Sequence, residues 1–122
     1  MIENNLASVF LEDFAEIEKM EKSVNFFRRS PYSYVVWLMA IDHHCKSQKL
    51  TIDNIERSVE RLASRKTLFS FLDDAVKHGF FTKTNDPDDK RRTLISPTKE
   101  TLNHFNKWSK TLVSKLNTNS LN

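Results

Sequence analysis

Apolar residues recur at helical spacing along most of the chain, and the period of the pattern changes only once. The change comes at two short β-prone runs, Phe80–Lys83 and Thr93–Ser96, which flank the charged, turn-rich sequence NDPDDKRR. One glycine and three prolines among 122 residues leave few positions that would break a helix. The chain is therefore predicted to be mainly α-helical with a small β-hairpin.

The N-terminal segment has a long apolar stripe whose members are three or four residues apart. These members are Leu6, Phe10, Phe14, Ile17, Met20, Val24 and Phe27. The stripe predicts one continuous amphipathic helix of about six turns. Ser30-Pro31 ends it, because proline lacks a backbone N–H and biases the preceding residue away from helical dihedral angles. A small domain offers little surface on which so long a helix can bury its apolar stripe. We therefore expect a partner subunit to cover it.

Capping residues place the elements that follow. A second helix is predicted from Ser33 to Lys46, with the apolar centre VVWLMAI as the buried spine of the domain. Thr51 is predicted to cap a short helix that reaches about Leu62, and Ser64 to cap the next one. Gly79 lies where the apolar stripe of that helix ends, as expected for a C′ residue in the left-handed region.

A last helix is predicted from Thr98. Its apolar side consists of Leu102, Phe105, Leu112, Val113 and Leu116. Two short helices, the second opened by a serine cap, followed by a charged hairpin, give the layout of a winged helix-turn-helix.

Residues 50–98 resemble the MarR family of bacterial regulators. The strongest match is the spacing Asp86-Pro87-x-Asp89-x-Arg91-Arg92, followed by a β-run and Thr98. The resemblance implies a homodimeric, sequence-specific regulator of transcription that binds double-stranded DNA. It also implies dimerisation helices at about residues 1–30 and 98–117, around a DNA-binding lobe at about 33–97 of a single domain. At Asp74 the family usually has a basic residue.

Two sets of residues are the candidate DNA contacts. The recognition helix would present its first turns to the major groove, namely Ser64, Arg65, Lys66, Thr67 and Ser70. The wing would contribute Lys83, Asp89, Lys90, Arg91 and Arg92. The resemblance implies that Asp89 and Arg91 pair to brace the hairpin, with Arg91 or a neighbour in the minor groove.

The resemblance also implies a small aromatic effector between the dimer region and the DNA-binding lobe. Phe27, Trp37 and Met39 either border such a pocket or pack in the core.

The net charge of +3 is modest, and its basic part is concentrated after residue 57, which indicates an anionic partner for that region. Two alternatives stay open. Asp73, Asp74 and the acidic wing residues would also suit a winged-helix module that binds a protein. His43, His44 and Cys45 could form a metal or redox switch, although at most two adjacent helical positions can readily share one ion.

No catalytic motif is recognisable: the single glycine excludes a phosphate-binding glycine loop, and neither a nucleophile elbow nor HExxH is present. We therefore expect neither enzymatic activity nor a cofactor. The N-terminus lacks the basic segment of a secretory signal, and the longest apolar run, residues 35–41, is too short to span a membrane. A cytoplasmic protein is expected.

Overall fold

The computed structural model describes residues 6–120, which form six α-helices and a two-stranded antiparallel sheet. The helices are α1 (Leu6–Ala15), α2 (Lys22–Arg28), α3 (Pro31–Cys45), α4 (Ile52–Val59), α5 (Arg65–Lys77) and α6 (Lys99–Ser120), and the strands are β1 (Phe81–Asn85) and β2 (Thr93–Pro97). The predicted class, a mainly α winged helix-turn-helix, is confirmed. None of the described helices has the length and apolar character needed to cross a membrane.

The predicted caps of the central helices are present. The Thr51 hydroxyl accepts a hydrogen bond from the amide of Asn54 at 3.1 Å, and the Ser64 hydroxyl accepts one from the amide of Thr67 at 3.1 Å. Each bond satisfies an amide that the first helical turn leaves without a partner. Gly79 has a φ of 76° and follows the last turn of α5, so it turns the chain directly into the hairpin.

The third helix begins earlier than predicted, at Pro31 instead of Ser33. Proline is well suited to the first helical position, where its missing N–H costs no hydrogen bond. The Ser33 hydroxyl donates to the carbonyl of Phe27 at 2.8 Å and accepts from the amide of Ser30 at 3.2 Å. These bonds join the end of α2 to the start of α3.

The prediction of one continuous N-terminal helix is wrong. A short 3-10 turn at Ile17–Lys19 and an extended Met20 separate α1 from α2. In an unbroken helix, residues 13 and 28 would be about 22 Å apart along the axis. In the bent chain the Arg28 guanidinium lies 2.8 Å from the Asp13 carboxylate.

A tryptophan of the last helix completes the contact between α1 and α2. The Trp108 indole N–H donates to Asp13 at 3.0 Å, and Arg28 also donates to the sulfur of Met20 at 3.4 Å. Both Asp13 and Arg28 are buried. The bend thus lets α1 and α2 pack separately against α6 and form one buried polar cluster, a tertiary effect that the apolar spacing does not register. Residues 1–5, the start of the predicted dimerisation segment, lie outside the described residues.

The hydrophobic core lies between α2, α3, α4, α5 and the hairpin, and Trp108 of α6 also belongs to it. Its largest members are aromatic: the rings of Phe27 and Trp37 stack with centroids 6.0 Å apart, and Phe27 also contacts Phe71 and Phe81. Within the predicted spine VVWLMAI, Leu38 is exposed, so the helix is not buried on all sides.

The hairpin pairs Phe81 with Pro97 and Asn85 with Thr93 at its two ends. A third segment extends it, because the amide of Ile95 donates to the carbonyl of Leu50 at 2.9 Å just before α4. The middle of β2 therefore holds the start of α4 beside the hairpin. The last helix continues to Ser120, beyond its predicted end at 117.

Candidate nucleic-acid interface

The outer face of α5 carries the predicted recognition residues. Leu68, Phe71, Leu72 and Ala75 are buried and fix which side of the helix faces the core. The opposite side is exposed at every predicted contact position: Ser64, Arg65, Lys66, Thr67 and Ser70. The structure therefore brings all five residues together at the N-terminal half of one accessible helix face. Ser64 also serves as the cap, so its hydroxyl is already engaged.

Arg65 is held by two contacts although its side chain is mostly exposed. Its Nε lies 3.5 Å from the carboxylate of Glu56 on α4, and its guanidinium lies 5.0 Å from the ring centre of Phe69. A cation over an aromatic face is stabilised by the ring quadrupole. Phe69, which lies off the apolar stripe of α5, thus has a partner: its half-buried ring packs on the core and supports Arg65.

The wing, defined as β1, β2 and the loop between them, contains the predicted brace. Arg91 donates to the Asp89 carboxylate through its backbone amide at 3.1 Å, through Nε at 3.1 Å and through Nη2 at 3.3 Å. These bonds lower the pKa of Asp89 below its usual range, since a guanidinium and an amide stabilise the carboxylate. The Arg91 side chain is 91% exposed, so the brace orients a cation that points into solvent.

A second acidic residue, Asp86, anchors the base of the wing loop. Its side chain is fully buried and accepts hydrogen bonds from Lys49 at 2.8 Å, from the amide of Asp88 at 3.0 Å and from Arg92. The bond from Lys49 is the main reason that the pKa of Asp86 is far below its ordinary value. Sequence reasoning missed this anchor, because Lys49 is remote in sequence and no spacing rule connects the two.

The four wing cations differ in whether a carboxylate already pairs with them. Arg92 is paired with the buried Asp86, and Lys83 lies 3.7 Å from Asp73 on α5. Lys90 is exposed at the tip of the loop. The exposed pair of Lys83 and Asp73 is a contact between the wing and α5.

A cleft between α5 and the wing gathers most of these charges. This wing cleft has a volume of about 250 Å³. Its lining consists of Thr51, Ile52, Asp53, Arg65, Phe69, Lys83, Arg91, Arg92 and Thr93. Four cations and one carboxylate therefore face the same space, where α4, α5 and the wing meet. Such a lining attracts an anion by Coulomb attraction and donates hydrogen bonds to it in fixed directions.

The three candidate effector-pocket residues pack with the core. Phe27 and Trp37 are completely buried in it, and Met39 is partly buried against it. An open cavity of about 520 Å³ lies instead among α1, the α2–α3 junction and α6. It is lined by Phe10, Asp13, Phe14, Arg28, Arg29, Ser30, Pro31, Tyr34 and Trp108.

The histidine–cysteine segment at the end of α3 gives no metal geometry. The His43 ring hydrogen-bonds the carbonyl of Met39 at 2.9 Å, and Cys45 is an exposed free thiol. Within residues 6–120, no three histidine, cysteine, aspartate or glutamate side chains are grouped as a metal would need.

The first helix leaves large apolar side chains in contact with solvent. Phe10 is 48%, Leu11 72% and Phe14 57% exposed, and Val113 on α6 is 52% exposed. Several large exposed apolar side chains on one short helix are typical of a surface that associates with another protein.

The comparison with known proteins gives weak similarity to a solved structure. No protein-family model matches the sequence, and no curated protein matches it. A solved structure, described as the crystal structure of a probable transcriptional regulator from Pseudomonas aeruginosa, superposes with a TM-score of 0.48 and 13% sequence identity, over 92% of this chain and 85% of the other. The role of this chain therefore has to be argued from its own residues.

Proposed function

We propose that this protein is a homodimeric, MarR-like regulator of transcription that binds double-stranded DNA in a sequence-specific manner. The observation that carries the proposal is the wing cleft, in which Arg65, Arg91 and two further cations face one space beside the exposed face of α5. The wing sequence Asp86-Pro87-x-Asp89-x-Arg91-Arg92 supports the assignment to this kind of regulator. The proposal includes no catalytic activity.

The two parts of the site have different roles. With α5 in the major groove, Arg65 or Lys66 donates to guanine O6 and N7, and Thr67 or Ser70 contacts a phosphate or a base edge. The wing reaches the adjacent minor groove with Arg91, whose guanidinium is already oriented by Asp89. We therefore assign sequence choice to α5 and most of the electrostatic affinity to the wing.

The dimer is proposed to form through α1 and α6, outside a DNA-binding lobe at about residues 33–97. The exposed rings of Phe10 and Phe14 supply apolar surface for a second copy. A two-fold dimer presents its two α5 helices symmetrically, so the matching DNA site is an inverted repeat with half-sites about 34–36 Å apart.

A small aromatic effector remains part of the proposal, with its site moved to the cavity beside α1. That cavity has about 520 Å³ of space, is lined by Phe10, Phe14 and Tyr34, and adjoins the proposed dimer surface. Sites for small molecules usually have volumes of about 300–1,000 Å³. We also propose that the regulator is cytoplasmic, since it has to reach the DNA that it regulates.

A protein-binding module is the second candidate, and one observation favours it. Asp73 and Asp86 already pair with two wing cations, which reduces the positive charge left for phosphates. The two functions differ in their response to salt. DNA affinity falls steeply as salt rises, because phosphate contacts release counterions, whereas binding to an uncharged peptide surface does not.

The proposal is tested by selecting fragments of genomic DNA with the purified protein. Enrichment of inverted repeats, with retention that weakens as salt increases, is the expected result. Recovery of unenriched fragments, or no recovery at all, would contradict the regulator and favour the protein-binding module.

A further inference from the structure

A second polar cleft lies on the other flank of α5. Residues 65, 69 and 73 form a row along α5 that faces the wing, as the contact of Asp73 with Lys83 indicates. Residues 66, 70 and 74 form the next row, about 100° further around the helix and away from the core. This α2–α5 cleft has a volume of about 290 Å³, and its lining consists of Arg29, Tyr32, Lys66, Thr67, Ser70, Phe71 and Asp74. It therefore joins the end of α2 to the exposed face of α5.

Arg29 is the cation of this cleft that lies outside the helix-turn-helix formed by α4 and α5. It is the C-cap of α2, and its guanidinium lies 4.5 Å from the ring centre of Phe26 and 5.9 Å from that of Phe71. These two rings are themselves stacked, with centroids 5.1 Å apart. An exposed arginine side chain normally loses rotamer entropy when it binds, and the aromatic stack reduces that loss by holding the cation in place beforehand.

The chemistry of the α2–α5 cleft suits a phosphate. Arg29 and Lys66 provide two cations, and the hydroxyls of Thr67 and Ser70 are hydrogen-bond donors for anionic oxygens. Asp74 is the one carboxylate in the lining, so the positive charges outnumber it.

We propose that Arg29 binds a backbone phosphate of the DNA strand on the side of α5 opposite the wing. This inference rests on the proposed function. A helix with its side chains is about 10–12 Å across, and the major groove is about 12 Å wide, so a helix in the groove has a phosphate strand along each flank. The wing cleft serves one flank, and the α2–α5 cleft serves the other. The DNA-contacting surface thus includes the end of α2, which the helix-turn-helix motif does not contain.

The test is a salt titration of the full-length protein on a labelled duplex of mixed sequence of about 30 base pairs. Arg29→Met removes the charge but keeps an apolar stem on Phe26, and Arg29→Lys keeps the charge. Lys46→Met, which removes an exposed cation at the end of α3 outside both clefts and outside α1 and α6, is the matched control. We expect Arg29→Met to reduce the slope of log affinity against log salt by about 0.9 and to weaken binding roughly threefold to tenfold near 0.1 M salt. Arg29→Lys and Lys46→Met should keep the wild-type slope.

The outcomes separate this inference from the proposed function. A wild-type protein that binds the duplex, with an unchanged slope in Arg29→Met, would overturn the role of Arg29 alone. An equal loss of slope in Arg29→Met and Arg29→Lys would also overturn it, since the effect would then come from packing rather than charge. A wild-type protein that does not bind the duplex would overturn both proposals, and binding of a phosphorylated peptide instead would assign the cleft to a protein partner.

Discussion

Removing Arg28 should destabilise the fold strongly, because it leaves a buried carboxylate without its cation. Arg28 and Asp13 lie 2.8 Å apart, and their side chains are only 4% and 3% exposed. Breaking a buried ion pair by removing one partner typically costs about 3–5 kcal/mol. In Arg28→Met the Trp108 indole N–H still donates to Asp13, but the negative charge is uncompensated. For a chain of this size, such a loss lowers the melting temperature by roughly 10–20 °C.

A double substitution distinguishes charge from packing. Asp13→Asn combined with Arg28→Met removes both charges and keeps an acceptor for the Trp108 N–H. We expect the double variant to be only about 1–2 kcal/mol less stable than wild type. Arg29→Met is the matched control, because Arg29 is the neighbouring arginine and is exposed. It loses only the cation–π contacts with Phe26 and Phe71, so its cost should be about 1 kcal/mol or less.

The measurement is urea unfolding followed by far-ultraviolet circular dichroism and tryptophan fluorescence. All variants must be compared at one protein concentration, since a dimer gains apparent stability as its concentration rises. A cost of less than about 1 kcal/mol for Arg28→Met would contradict the reasoning. A double variant as unstable as the single one would show that packing, and not the unpaired charge, dominates.

Two further predictions concern the dimer and the wing. Phe10→Glu should convert the proposed dimer into a monomer or an insoluble protein. Leu62→Glu, a change at an exposed leucine beyond α4, should leave the dimer intact. A wild-type protein that sediments as a monomer at about 10 μM would contradict the proposed interface. Asp86→Asn should lower the free energy of unfolding at neutral pH and make that free energy vary less with pH in the acidic range. The folded-state pKa of Asp86 is below its ordinary value, so the carboxylate stabilises the fold above pH about 4 and this contribution is lost as pH falls below that value. Urea midpoints between pH about 3 and 7 measure this effect, and parallel curves for the variant and the wild type would refute it.

The parts of the structure that could be predicted from the sequence are those with local causes. Thr51 and Ser64 cap their helices through an amide three residues away, and Gly79 adopts its positive φ next to the helix that it ends. The Asp89–Arg91 pair is also local, because the partners are two positions apart. In each case the energy that selects the conformation comes from neighbours in the chain, so a sequence pattern registers it.

The parts that could not be predicted have causes distant in sequence. The bend between α1 and α2 depends on Trp108, 95 residues beyond Asp13. The wing anchor depends on Lys49, which precedes Asp86 by 37 positions. Apolar spacing gives the same periodicity for a straight helix and for two helices that bend around a third, and charge counts cannot tell a solvated aspartate from a buried one.

The central claim is that α5 selects the sequence and the wing supplies affinity. It is tested most directly by comparing Arg65→Ala with Arg91→Ala, each on a duplex recovered by fragment selection and on a scrambled duplex at one salt concentration. A bidentate contact to guanine contributes about 1–3 kcal/mol of discrimination. The account predicts that Arg65→Ala loses roughly tenfold to a hundredfold on the recovered duplex and little on the scrambled one, while Arg91→Ala weakens both to the same extent. Equal losses on the two duplexes for Arg65→Ala, or no loss on either, would contradict the claim.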